Sequence, residues 1–130
     1  MYDRHGSHDR GREHQQRINE QIRISPVRLI GAQGEQVGVV PTQQALDMAR
    51  EANLALVKSY NRWLSEIWKK GEGRLRWAAI PPLLSMDLVR DELARAKDNG
   101  ACGIFLNGLE FDKQLSDTYF YPLYETAEEL

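Results

Sequence analysis

The apolar pattern of this chain changes character at Lys58, and that change limits the folds open to it. Upstream, Ala45, Leu46, Ala49 and Ala52 recur at helical spacing and make a narrow face of small residues, suited to lying on a sheet. Downstream, Tyr60, Trp63, Leu64, Ile67 and Trp68 fall at i, i+3, i+4, i+7 and i+8 and share one wide face. There is no internal repeat, so the two textures predict two different pieces rather than one repeated unit.

The upstream piece starts late. Residues 1–16, MYDRHGSHDRGREHQQ, hold no aliphatic side chain except Met1, and so nothing that buries area against the entropy of ordering. Residues 1–17 read as a flexible polar arm. The β-branched run VRLIG at 27–31 is answered by QVGVV at 36–40, with Gly34 between them able to supply a positive φ, which predicts a hairpin. Thr42 after Pro41 is the expected N-cap of a helix, Asn53 its expected end, and residues 54–57, LALV, a short buried strand.

In the downstream piece, Lys69 and Lys70 suit the negative end of the aromatic-faced helix and Gly71 stops it. Residues 75–80 read as a strand closed by Pro81 and Pro82. Ser85 is the expected cap of a helix turning Met86, Val89, Leu93 and Ala96 inward and leaving Asp87, Asp91, Glu92 and Asp98 solvated. After Asn99 and Gly100, residues 101–106 are a continuous apolar run of the kind buried on both faces of a parallel sheet. Strand, helix, strand with short links is a parallel βαβ crossover. A polar loop at 107–116 leads to a last helix with Pro122 near its first turn.

Several blocks of the upstream piece occur in a family's order and spacing: INEQIR at 18–23, VRLIG at 27–31, GEQVGVV at 34–40 and PTQQALDMAREANLALV at 41–57. Residues 18–57 resemble the N-terminal domain of bacterial translation initiation factor three. The resemblance implies a small sheet with one helix packed across it and binding to the small ribosomal subunit. In that family the factor helps select the initiator tRNA and start codon and opposes premature subunit joining. The family continues with a Pro-rich turn, another strand, a basic linker helix and a second domain, none of which follows Val57. The resemblance therefore implies a binding module rather than a working factor.

The downstream piece is similar to another family. YNRWLSE at 60–66, GRLRWAAIPPL at 73–83, GACGIFL at 100–106 and LSDTYFYPLYETAEEL at 115–130 resemble the metal-dependent amidohydrolases that include aromatic-acid decarboxylases and lactone hydrolases. The match spans a minor part of a TIM barrel. Chemistry in that family needs a divalent metal held by histidines and an acidic residue, and residues 58–130 contain no histidine. No catalytic residue is assigned, no cofactor is expected, and hydrolase activity is expected to be absent.

The fold expected is α/β or α+β: a small sheet with one packed helix over 18–57, then a helix and a βαβ slice of a TIM barrel over 58–130. Whether these form one compact domain or independent halves stays open. An artificial or accidental chimera, joined near residue 58 and without activity of its own, is the third reading.

Charge adds little to the choice. The net charge is -2; residues 1–57 hold seven Lys/Arg and seven Asp/Glu, and residues 58–130 hold ten and twelve, so neither piece has the basic excess usual in a nucleic-acid binder. RNA contact would rest on a local patch: Arg17, Asn19, Gln21, Arg23 and Arg28, where guanidinium groups offer paired donors to phosphate. The alternative for these residues is an ordinary solvated sheet face. His5, His8 and His14 lie in the polar arm, where a pair of ligands makes a poor metal site. Cys102, alone in its strand, reads as a small core hydrophobe. The aromatic residues Tyr60, Trp63, Trp68 and Trp77 read as core, and any ring left exposed would be a surface for self-association. A single cysteine, no signal-like N-terminus and no apolar run near the ~18 residues of a membrane span make a cytoplasmic chain the expectation.

Overall fold

A computed structural model of the chain describes residues 17–130. Apart from Arg17, the expected polar arm, with His5, His8 and His14, lies outside the described residues. The chain forms two compact units, one through Leu46 and one from Asp47 to Leu130.

The first unit contains the expected hairpin. Strands β1 (Val27–Ile30) and β2 (Gln36–Val40) pair antiparallel, with Arg28 opposite Val39 and Leu29 opposite Gly38. A register shift between Leu29 and Ile30 bends the ladder just before the turn. The turn closes through Gly34 N–H to the Gly31 carbonyl at 3.0 Å and Gly31 N–H to the Glu35 carbonyl at 2.9 Å. Gly34 sits at φ +83°, which a residue with a Cβ adopts only under strain.

Helix α1 (Thr42–Lys70) starts in this unit, but not with the expected cap. Ala45 N–H donates to the Pro41 carbonyl at 3.1 Å, so Pro41 holds the cap position. Thr42 instead donates its hydroxyl to the Ile24 carbonyl and its amide to Ser25 Oγ, the latter at 3.3 Å. The helix start is thereby tied to the segment leading into β1.

The expected strand at 54–57 does not form, and Asn53 does not end the helix. One 29-residue helix runs where two helices and a strand were expected. A strand would have put Leu54 and Leu56 on one face, yet Leu56 is 70% exposed while Val57 is buried. Burial continues through Leu54, Val57, Asn61, Leu64, Ser65 and Trp68 at spacings of three and four. Leu and Ala are strong helix formers, so local propensity does not oppose that stripe. Asn53 accommodates it with its side-chain Oδ1 buried and unbonded. The stripe also corrects the expected aromatic face: Tyr60 and Trp63 lie outside it, exposed, with ring centroids 5.9 Å apart. Gly71 ends the helix as expected, its N–H donating to the Ile67 and Trp68 carbonyls at 3.0 Å each.

The crossover in the second unit is parallel. Strand β3 (Trp77–Ala79) leads through a 3-10 turn at Met86–Leu88 and helix α2 (Val89–Asp98) to β4 (Ala101–Ile104), with Trp77 opposite Ala101 and Ala79 opposite Ile104. Ser85 precedes the 3-10 turn rather than α2, and its side chain caps neither. Trp77, Leu83, Val89, Leu93, Ala96, Phe120 and Leu123 form the core, packed on by Leu64 and Trp68 from α1. Residues such as Val89 and Leu93 contribute about 1.5–3 kcal/mol each by leaving water, which makes them the chief support of the crossover.

Strand β4 departs from expectation. It is not buried on both faces: Cys102 and Gly103 are exposed and Phe105 is 56% exposed, and among the described residues β4 has β3 as its single strand neighbour. Cys102 is therefore not a core residue. Its thiol makes a long contact, 3.5 Å, with the Trp77 carbonyl. The loop at 107–116 holds a small hairpin, β5 (Leu109–Glu110) and β6 (Lys113–Gln114), and α3 (Tyr121–Glu129) begins with Pro122 in its first turn. The described residues hold three two-stranded sheets and no barrel.

Glu92 is the other correction. It is not solvated but buried, on the inner face of α2 with Val89, Leu93 and Ala96. Arg95 donates to both of its carboxylate oxygens and Asn61 Nδ2 donates to Oε1 at 2.9 Å. Burial pushes its carboxyl pKa up, but the hydrogen bonds from Arg95 and Asn61, with the charges of Arg95 and Lys58, outweigh that and hold it below the ordinary value. The Arg95 guanidinium is raised in turn, chiefly by its bond to Glu92.

Candidate nucleic-acid interface

The five residues proposed for RNA contact all lie in the first unit, but the fold sorts them into two groups. Asn19 and Gln21 belong to a 3-10 turn at Asn19–Gln21, with Arg17 two residues before it; the turn is closed by Gln21 N–H to the Ile18 carbonyl and Ile22 N–H to the Asn19 carbonyl, both at 3.0 Å. Asn19 takes a left-handed φ of +48°, which asparagine tolerates better than most residues. Gln21 turns its Oε1 toward the Ile18 amide at 3.5 Å, so part of its side chain serves the turn itself.

Arg28 belongs to a different surface. Along β1 burial alternates, with Val27 and Leu29 half-buried and Arg28 and Ile30 outward. Across the ladder Val39 stands opposite Arg28 and is exposed, as is Val37. The outer hairpin face is one guanidinium among three aliphatic side chains. Arg23, also exposed, lies between the turn and β1.

Such a face joins charge to apolar contact. A guanidinium offers paired N–H donors to a phosphate, and the aliphatic groups beside it suit a ribose, a base face or a protein surface. The arginines of this unit stand out by residue type, whereas Ile30, Val37 and Val39 do not. The signal was present in the two-residue alternation, which puts residues 28 and 30 on one face.

Charge in this unit leans positive toward solvent. Arg17, Arg23 and Arg28 face Glu20 and Glu35 over residues 17–46. Glu35 is drawn into the hairpin turn, where its Oε2 accepts from Gln33 N–H at 3.0 Å and its carboxylate lies on Gly31. A Cβ at Gly31 would meet that carboxylate, the end of a flexible side chain that can swing aside. Among the described residues no group of three or more His, Cys, Asp or Glu is placed to hold a metal ion, and no helix is long and apolar enough to cross a membrane.

Comparison with known proteins bears on this unit and the start of the next. Residues 18–61 match the family described as translation initiation factor IF-3, N-terminal domain. The translation initiation factor IF-3 of Deinococcus radiodurans is 58% identical over 41 residues, which cover 32% of this chain and 19% of that protein. The factor of Rhizobium leguminosarum bv. trifolii is 64% identical over 42 residues, 32% of this chain and 24% of its own length. That of Coxiella burnetii is 62% identical over 42 residues, 32% of this chain and 23% of its own. The chain thus spans about a fifth to a quarter of the length of these relatives. No solved structure matches. Residues 62–130 lie outside the family match, and nothing in these comparisons supports their resemblance to amidohydrolases or a chimeric origin.

Proposed function

We propose that the chain is a cytoplasmic, translation-initiation-factor-like protein whose residues 18–61 form a module binding the small ribosomal subunit. The observation that carries this reading is the family match over those residues. In it, Arg17, Arg23 and Arg28 contact RNA phosphates, while Asn19 and Gln21 hold the turn that presents the first of them. The outer aliphatic residues of the hairpin, Ile30, Val37 and Val39, supply the apolar part of the contact. The module acts by binding and performs no chemistry, and the further activities of a whole initiation factor are not part of the proposal.

The test is co-sedimentation of the full chain with purified small ribosomal subunits over a range of salt. Binding should weaken as salt rises, because displaced counterions return to the RNA. The double variant Arg23→Ala/Arg28→Ala should bind more weakly and lower the salt slope by about one for each phosphate that is no longer neutralised. A chain that stays in the supernatant at low salt and micromolar concentration sinks the reading.

A further inference from the structure

The second unit contains a cationic cleft that the ribosome reading does not use. Lys58 and Arg62, four residues apart on one side of α1, face Arg95 and Asp91 of α2 across a cleft of about 360 Å³. Leu88, the residue immediately before α2, lines the cleft as well, so the positive end of that helix borders it.

The floor of the cleft is hydrogen-bonded. Glu92 is buried beneath it and receives two hydrogen bonds from Arg95, at Nε and Nη2, and one from Asn61. A guanidinium has five N–H donors in a fixed plane, so Arg95, oriented by Glu92, keeps donors to spare. Lys58 and Arg62 are exposed, and no ion pair ties them to a carboxylate among the described residues. Counting Lys58, Arg62 and Arg95 against Asp91 and Glu92, the cleft carries a cationic surplus of one.

We propose that the cleft between α1 and α2, formed by Lys58, Arg62 and Arg95, binds a phosphate group. Glu92 consumes one face of Arg95 and sets its orientation, leaving Lys58 and Arg62 to close on the ligand from α1. A phosphate fits better than a carboxylate, because its oxygens spread tetrahedrally toward donors converging from two helices, whereas those of a carboxylate lie in one plane. Asp91 sits at the rim, where it weakens binding of an anion without blocking it. The phosphate is either a free ion, with four oxygens, or a link of an RNA backbone, with two unesterified oxygens and a single charge; both offer tetrahedral anionic oxygens to the same donors.

The experiment uses the full chain labelled for proton–nitrogen spectra, exchanging chloride for inorganic phosphate at constant ionic strength. Phosphate, and not chloride, should shift the amides around residues 58, 62 and 95. Lys58→Ala and Arg62→Ala, both at exposed positions outside the core, should keep the dispersed spectrum and lose about tenfold in phosphate affinity, the range for a charged hydrogen bond. Asp91→Asn should bind several-fold more tightly, which a merely structural role for these residues would not produce. A parallel titration with short oligouridine assigns the source: shifts at the same residues point to an RNA backbone, their absence to a free phosphate. Arg23→Ala/Arg28→Ala should leave the phosphate titration unchanged, so loss of ribosome binding and loss of this site are separately read. Identical responses to phosphate and chloride, or variants of Lys58 and Arg62 that titrate like the parent, would overturn the proposal.

Discussion

Asn61 pairs with Ile80 as a neighbouring strand would. Its Oδ1 accepts from Ile80 N–H and its Nδ2 donates to the Ile80 carbonyl, each at 2.9 Å, and the side chain is fully buried. Ile80 stands where β3 gives way to Pro81 and Pro82, so no ladder continues there. The carboxamide of a helix residue thus satisfies the last peptide group of the strand, and the same Nδ2 also reaches Glu92.

Asn61→Ala should destabilise the chain by about 3 kcal/mol, since it leaves the N–H and carbonyl of Ile80 without their partner and takes from Glu92 Oε1 one of its two donors, the other being Arg95. Asn61→Asp, nearly the same shape, keeps the acceptor for Ile80 N–H but sets a second carboxylate against Glu92. It should be the worse of the two at neutral pH and improve as acid protonates the pair. Urea midpoints at the two pH values read both effects. A wild-type midpoint for the alanine variant would show that the pairing contributes nothing.

Glu92 makes stability depend on pH in a defined direction. Its folded carboxyl lies below the ordinary value, near 4.5, despite burial, because Arg95 and Asn61 bond the charged form. A group depressed in the folded state contributes its stability in full above the unfolded pKa and loses it as pH falls through the folded one. Glu92→Gln should therefore be less stable than the parent at neutral pH and should lose less on further acidification below about pH 4.5. Parallel acid dependence in parent and variant would remove Glu92 as the source.

Gly100 and Gly34 separate steric crowding from backbone strain. Both have left-handed φ, +87° and +83°. A Cβ at Gly100 would lie 2.2 Å from Trp68 Cε2, whereas one at Gly34 meets nothing within 4 Å. Gly34→Ala should cost about 1 kcal/mol, from conformation alone. Gly100→Ala should cost about 3 kcal/mol, because the indole of Trp68 packs on the core and has to move. Thermal melts of the two variants test the ranking, and equal shifts would mean that Trp68 yields freely.

What could be read from the residues divides along physical lines. The hairpin was legible because β-branched alternation and Gly34 agree, and the parallel crossover because apolar runs, prolines and glycines mark its corners. The run LALV at 54–57 was not, since a short apolar stretch fits a strand or a buried helix segment equally well. A strand at 54–57 would also start α1 later and turn a different face inward, one that carries Tyr60 and Trp63. Asn61 and Glu92 are polar, so residue type hides them from the core, although their spacing places them there. Asn61 stands four residues after Val57 and three before Leu64, and Glu92 three after Val89. Among the proposed contact residues, the arginines were visible by type, while Ile30, Val37 and Val39 depended on knowing which face β1 and β2 leave outward.

The tryptophans give the sharpest test of the corrected helix face. Trp77 is 7% exposed in the core, and its indole N–H donates to the Asn99 carbonyl at 3.1 Å. Trp63 is 55% exposed beside Tyr60, with Leu56 two turns earlier also outward. Trp77→Ala should cost about 4 kcal/mol through lost burial and an emptied site. Trp63→Ser should change stability by no more than about 0.5 kcal/mol, as expected of a surface position. If the exposed stripe Leu56–Tyr60–Trp63 drives the self-association expected from the residues, Trp63→Ser should also lower the sedimentation-average mass at high protein concentration. The aromatic face first read from the spacing, with Trp63 in the core, requires the opposite: a large loss of stability from Trp63→Ser. Urea midpoints of the two variants decide between the faces, because only one of these tryptophans can be removed without unfolding the unit.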